Sequence, residues 1–154
     1  LDASPDAYLS IPDGDADAQE SAEEATESKD DAFARAYHPI DEMAAQAEVP
    51  AAFVGELIEA GFLDAKADTM GRPSVSGHDL ELVKAAFELG GYGFDTRTLK
   101  SHIQRANRDV TFYKQGLAIT ARKDADAQPE KTLAHLIELN NAIYSTLVQR
   151  MAEL

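Results

Sequence analysis

Ile40-Asp-Glu-Met-Ala-Ala-Gln-Ala-Glu-Val-Pro-Ala-Ala-Phe-Val-Gly-Glu-Leu-Ile-Glu-Ala-Gly-Phe-Leu63 reads as two short helices joined by a tight turn. Pro39 and Pro50 each suit a first helical position, where a missing N–H costs nothing, and Asp41 and Glu42 complement the positive pole of the first helix. Ile40, Met43, Ala44 and Ala47 then share one apolar face, and Phe53, Val54, Leu57 and Ile58 share another at spacings of three and four. Gly61 stands where a left-handed residue closes a helix. Residues 62–65 and 72–75 follow as two expected strands around a hairpin loop at residues 66–71. Helix, turn, helix and β-hairpin in this order predict a winged helix-turn-helix, a unit whose second helix usually enters a DNA major groove. The second helix, residues 51–60, holds no Lys or Arg.

Outward from this stretch the chain continues as helices. Ser76-Gly-His-Asp79 has the form of a capping box with Asp in the Glu position. The helix after it is expected to turn Leu80, Val83, Ala86 and Phe87 inward and to stop at Gly90-Gly91. Asp95 or Thr96 caps a further helix with Leu99 and Ile103, which continues through residues 110–121 with Gly116 as a weak point. Pro129 opens a last long helix. In it Leu133, Asn140, Leu147 and Leu154 fall seven apart, with Leu136 and Ile143 between them. Such a seam serves either a coiled-coil dimer, in which a core Asn sets register, or a hairpin with residues 110–121 of the same chain. Arg150 breaks the series, which favours the hairpin. A dimer or partner surface, if present, involves Leu133, Leu136, Asn140, Ile143 and Leu147. The predicted fold class is mainly α: a winged helix-turn-helix with a two-stranded wing, then a C-terminal helical hairpin. The expected division is residues 1–36 as a largely disordered acidic tail, 37–106 as the winged unit, and 107–154 as the terminal helices.

Charge is distributed unevenly. Residues 1–31 hold eleven acids against Lys29 alone, which leaves only −4 of the net −14 for the rest. They are poor in large apolar side chains, although Tyr8, Leu9 and Ile11 are exceptions, so they bury too little surface to offset chain entropy. Residues 31–36 add at most a helical turn before Tyr37. Between residues 97 and 123 stand seven basic residues and one acid, Asp109. Arg97, Lys100, Arg105 and Arg108, with Arg72 in the wing loop, are the candidate DNA-contacting residues. Their spacing by three and five gathers them only loosely on one face. A solvated face paired with the acidic tail is the preferred reading of the run, over a phosphate-contacting flank. The absence of cysteine excludes disulfides and thiolate metal sites and suits a reducing cytoplasm. No apolar run is long enough to cross a bilayer. Leu1 in place of Met suggests a piece of a longer protein.

Other chemistry finds little foothold. Asp13, Asp15, Asp17 and Glu24 have the spacing of a calcium loop, but Ala18 stands where the loop needs Gly, and Pro12 interrupts the entering helix. A solvated acidic tail explains them better. His38, His78, His102 and His135 lie far apart, with none at metal-ligand spacing. Gly90-Gly-Tyr-Gly93 follows a helix, whereas a phosphate loop follows a strand. No nucleophile–base set stands out, so neither an enzyme nor a cofactor is expected.

Ile40 to Leu63, Gly71 in the loop, Ser76-x-x-Asp-Leu80 and Leu89-Gly-Gly-Tyr-Gly-Phe94 resemble the layout of MerR-like transcriptional regulators, over roughly residues 37–105. The resemblance implies a DNA-binding regulator in which helices after the winged unit, here residues 110–154, form a homodimer. The chain departs from that pattern where the family's second helix carries arginines and aromatics: Ala52, Phe53, Gly55, Glu56 and Leu57 stand here, and the wing arginine is replaced or displaced, with Pro73 at its place and Arg72 one residue early. It is most similar to the second, divergent winged region of actinobacterial MerR-like regulators of cell division, together with an acidic linker. The resemblance thus implies a regulatory or dimerising C-terminal region, with DNA bound through the full-length protein and the main reading domain outside this chain. Two alternatives stay open: direct DNA binding through the wing and residues 97–108, and a protein-interaction adaptor with no DNA role. The sequence specifies no small-molecule effector.

Overall fold

The structure, a computed structural model, describes residues 29–153. The acidic segment up to residue 28, with the calcium-loop spacing at residues 13–24, and Leu154 at the end of the heptad series lie outside the described residues. The chain divides into two compact units between Thr96 and Arg97.

Among the described residues the first unit opens with helix α1 (residues 29–35), which includes the helical turn expected before Tyr37. Strand β1 (Tyr37–Pro39), α2 (Ile40–Ala47), α3 (Ala51–Glu59), β2 (Lys66–Ala67), β3 (Pro73–Ser76), a 3-10 turn (Gly77–Asp79) and α4 (Leu80–Gly90) follow. The helical spacing placed Met43, Val54, Leu57 and Val83 inward, and Val75 of the wing joins them in the core. Met43 from α2, Val54 and Leu57 from α3, Val75 from β3 and Val83 from α4 are fully buried. Burying such side chains is the main favourable term in folding a unit of this size.

Three helix ends use one device. Gly61 has φ +85°, its N–H donates to the Ile58 carbonyl, and the next N–H, from Phe62, reaches back to Leu57 at 2.9 Å. Gly93, at φ +89°, does the same with Gly90, while Phe94 donates to Leu89. The third copy, at the end of α2, carries a glutamate. Glu48 has φ +58°, and Glu48 and Val49 donate to Ala45 and Ala44. This pattern satisfies carbonyls that a helix end otherwise leaves bare. Each left-handed residue is followed by an apolar side chain: Val49, Phe62 or Phe94.

The sheet has three strands in the order β1-β3-β2, one more than the predicted two-stranded wing. Tyr37, His38 and Pro39 pair antiparallel with Ser76, Val75 and Ser74. On the other side Lys66 and Ala67 pair with Ser74 and Pro73. The first wing strand therefore forms within the expected loop, four residues beyond its predicted start. The cause is Asp68: its Oδ1 accepts the N–H groups of Met70 and Arg72, both at 2.8 Å, and tightens the turn. Gly71, at φ +77°, completes the hairpin. The hydroxyl of buried Ser74 donates to the Lys66 carbonyl at 2.9 Å, so burial leaves it satisfied.

Two further expectations change. The Ser76 hydroxyl accepts the His78 N–H at 3.3 Å and caps the 3-10 turn, and the long helix begins only at Leu80. Asp79 is instead held near Asp64: partial burial first, then that carboxylate, push its carboxyl above the usual range, with His78 acting in the opposite direction. Phe87 does not join the core; it is 43% exposed. Val83 and Ala86 already fill the inward arc of α4, and Phe87 sits at its edge.

The second unit holds α5 (Thr96–Lys123) and α6 (Pro129–Met151). Gly116 leaves α5 unbroken. Among the described residues no helix is long and apolar enough to cross a membrane.

Candidate functional site

In a DNA-reading winged unit the outer face of the second helix supplies the hydrogen-bond donors. Helix α3 exposes Ala51, Ala52, Glu56 and Glu59 there and has no basic residue. Phosphates carry about one negative charge per 1.7 Å of duplex axis, so this face opposes the approach of DNA.

Arg72 projects from the wing, but its Nε lies 3.0 Å from Asp68 Oδ2 and its own N–H is bound to the same carboxylate. These contacts, the Arg72 backbone N–H foremost, hold the Asp68 carboxyl below its usual range. Arg105 is engaged as well. Its guanidinium lies 3.4 Å from the centroid of the Tyr144 ring, and Nε is 3.5 Å from Asp109. Arg97, Lys100 and Arg108 are exposed on α5, with no ion pair among the described residues. Arg72 and the α5 cations belong to different units, so each set stands by itself.

Helices α5 and α6 run antiparallel, as three contacts along their length show. Arg105 meets Tyr144, Tyr113 Oη accepts a hydrogen bond from Asn140 Nδ2 at 3.0 Å, and Leu136 lies over Gly116. A Cβ at Gly116 would sit 2.8 Å from Leu136 Cδ1, so the glycine permits this close approach. Leu133, Leu136 and Asn140 are half-buried, while Ile143 and Leu147 are exposed. The heptad series thus splits: its first half serves the hairpin, and its second half faces outward. Tyr113 and Tyr144, which sequence reasoning missed, are the hairpin's polar and cation-binding contacts.

Much apolar surface stays uncovered. No residue of α6 is buried, and on α5 only Leu99 is. Phe112 is 72% exposed, Ile143 62% and Met151 76%, with Ile137, Leu139, Tyr144 and Val148 also on the surface. Monomeric proteins rarely leave contiguous apolar patches beyond a few hundred Å² in water.

The histidines stay apart. His38 Nε2–H donates to the Phe33 carbonyl at 2.8 Å and its ring stacks on Phe33, centroids 3.8 Å apart. His135 lies 3.8 Å from Glu138. His78 and His102 are exposed.

Residues 38–153 match the family model of the Rv1828-like C-terminal domain. No curated protein matches the chain.

Proposed function

We propose that this chain, which belongs to the Rv1828-like C-terminal domain family, is the dimerising and regulatory region of a MerR-like transcriptional regulator. Within that group we place it in the actinobacterial cell-division branch. The sequence-specific reading domain lies outside the chain, and the region has no catalytic step. One observation carries the reading: a winged helix-turn-helix whose second helix exposes Glu56 and Glu59 and no cation. The winged architecture supports descent from a DNA-binding unit, and the acidic face supports loss of the reading role. Arg72 and Arg105, already paired with Asp68 and with Asp109 and Tyr144, favour this over direct DNA contact.

Two copies join through the α5–α6 hairpins, whose uncovered apolar residues make that assembly favourable. Dimerisation would set two reading heads at the spacing of a two-fold operator.

The test is fluorescence anisotropy with labelled duplex, comparing this chain alone with the full-length protein. The proposal expects sequence-specific binding only for the full-length protein. Specific binding by this chain alone, lost on changing Arg97, Lys100 and Arg108 to Ala, would overturn it in favour of direct reading.

A further inference from the structure

Phe53 on α3 and Phe87 on α4 meet edge to face, centroids 5.2 Å apart at 68°. Such a pair ordinarily belongs to a core. Here it lines a cavity of about 570 Å³ together with Phe94 from the loop after α4. Phe87 and Phe94 are 43% and 45% exposed, so aromatic surface is presented to the open space. The size falls within the range of pockets that enclose small organic ligands.

The sign of the site is equally definite. Glu56, Glu88 and Asp95 line it, and no basic side chain does. Gly90 and Gly91, at the capped end of α4, and Thr96, at the start of α5, complete the lining. Aromatic faces add a further attraction for positive charge. The carboxylates and the ring faces therefore both favour positive charge beside the apolar space. At Gly90 an added Cβ would meet nothing within 4 Å, so the backbone there borders open room.

We infer that this cavity binds an organic cation: a quaternary or protonated nitrogen on an aromatic or branched apolar body. The rings of Phe53, Phe87 and Phe94 take the body out of water, and the carboxylates of Glu56 and Glu88 face the charge. An anion of the same shape is rejected by sign. The inference is independent of whether the chain belongs to a transcriptional regulator, because it rests on the first unit's own walls.

The test uses two ions of nearly identical shape and opposite charge, tetraphenylphosphonium and tetraphenylborate, titrated calorimetrically into the whole chain. The expected result is one-site binding of the cation at least about tenfold tighter than of the anion, a difference of roughly 1.4 kcal/mol. In the double variant Glu56→Gln/Glu88→Gln, which keeps the shape, the preference should shrink several-fold with an unchanged melting temperature. In Phe87→Ala binding of the cation should weaken. Equal binding of both ions, binding of neither, or cation binding indifferent to all three substitutions would overturn the assignment. The last outcome would move the ligand to the apolar surface of α5 and α6.

Discussion

Gly77 is the point at which the N-terminal helix is locked onto the winged unit, and Gly77→Ala tests that lock. The Gly77 N–H donates to the Ala36 carbonyl at 2.8 Å. A Cβ added there would overlap the Phe33 carbonyl oxygen and lie 2.7 Å from its carbon and 3.0 Å from Ala34 Cα. The obstruction is backbone, so no side-chain rotation relieves it. The same Phe33 carbonyl accepts the His38 Nε2–H, and the Phe33 ring stacks on His38. Moving α1 aside would break both hydrogen bonds, at about 1 kcal/mol each, and the stack, at about 0.5–1.5 kcal/mol. The expected loss is therefore about 2–4 kcal/mol, close to the upper range for overpacking. For a chain of this length that corresponds to a fall in melting temperature on the order of 10 °C. Thermal denaturation followed by circular dichroism measures it. Phe33→Ala in the Gly77→Ala background should then cost little more, because both changes release the same helix. An unchanged melting temperature in Gly77→Ala, or full additivity with Phe33→Ala, would refute the reasoning.

Three further expectations follow from local geometry. Glu48→Gly relieves an L-residue held at φ +58° and should stabilise the protein by about 1 kcal/mol in denaturant titration, whereas Glu48→Ala should not. Asp79 has a carboxyl raised by burial and by Asp64, so its contribution is present below the ordinary aspartate range and is lost as pH rises through the raised value. Asp79→Asn should therefore melt higher than the parent at pH 7, with the gap closing in acid; a gap constant with pH would exclude the charge as the cause. Asp68 is the opposite case, with a lowered carboxyl whose contribution is present above the unfolded value and lost as pH falls through the folded one. Asp68→Ala should speed amide exchange at Met70 and Arg72 at neutral pH, and unchanged exchange would show that the wing does not depend on this side chain.

Much of the winged unit was legible because its signals are local. Pro39, Pro50 and Gly61 punctuate the chain at the ends of α2 and α3, and apolar spacing selects Met43, Val54, Leu57 and Val83. What escaped was decided by distant or atomic-scale partners. Strand β1 is three residues long, includes a proline and exists only through pairing with β3, whose Val75 lies 37 positions after its partner His38. The start of β2 depends on which amides Asp68 captures. Glu48 carries no compositional sign of a left-handed conformation. Helical periodicity located the stripe containing Phe87 but not which edge of it is covered. The aromatic cavity draws Phe53, Phe87 and Phe94 from three separate segments, and no spacing announces it. In the hairpin, the heptad identified the seam, but the division between its inner and outer halves depends on Tyr113, Gly116 and Tyr144 of the facing helices.

The proposed assembly of two copies through the exposed faces of α5 and α6 is what makes the region a dimerising one, and sedimentation equilibrium over a range of concentrations probes it most directly. The predicted result is a species of twice the 16.7 kDa chain mass, converted to monomer by Ile143→Glu with the helical signal retained. A chain that sediments as a monomer at every concentration would contradict it.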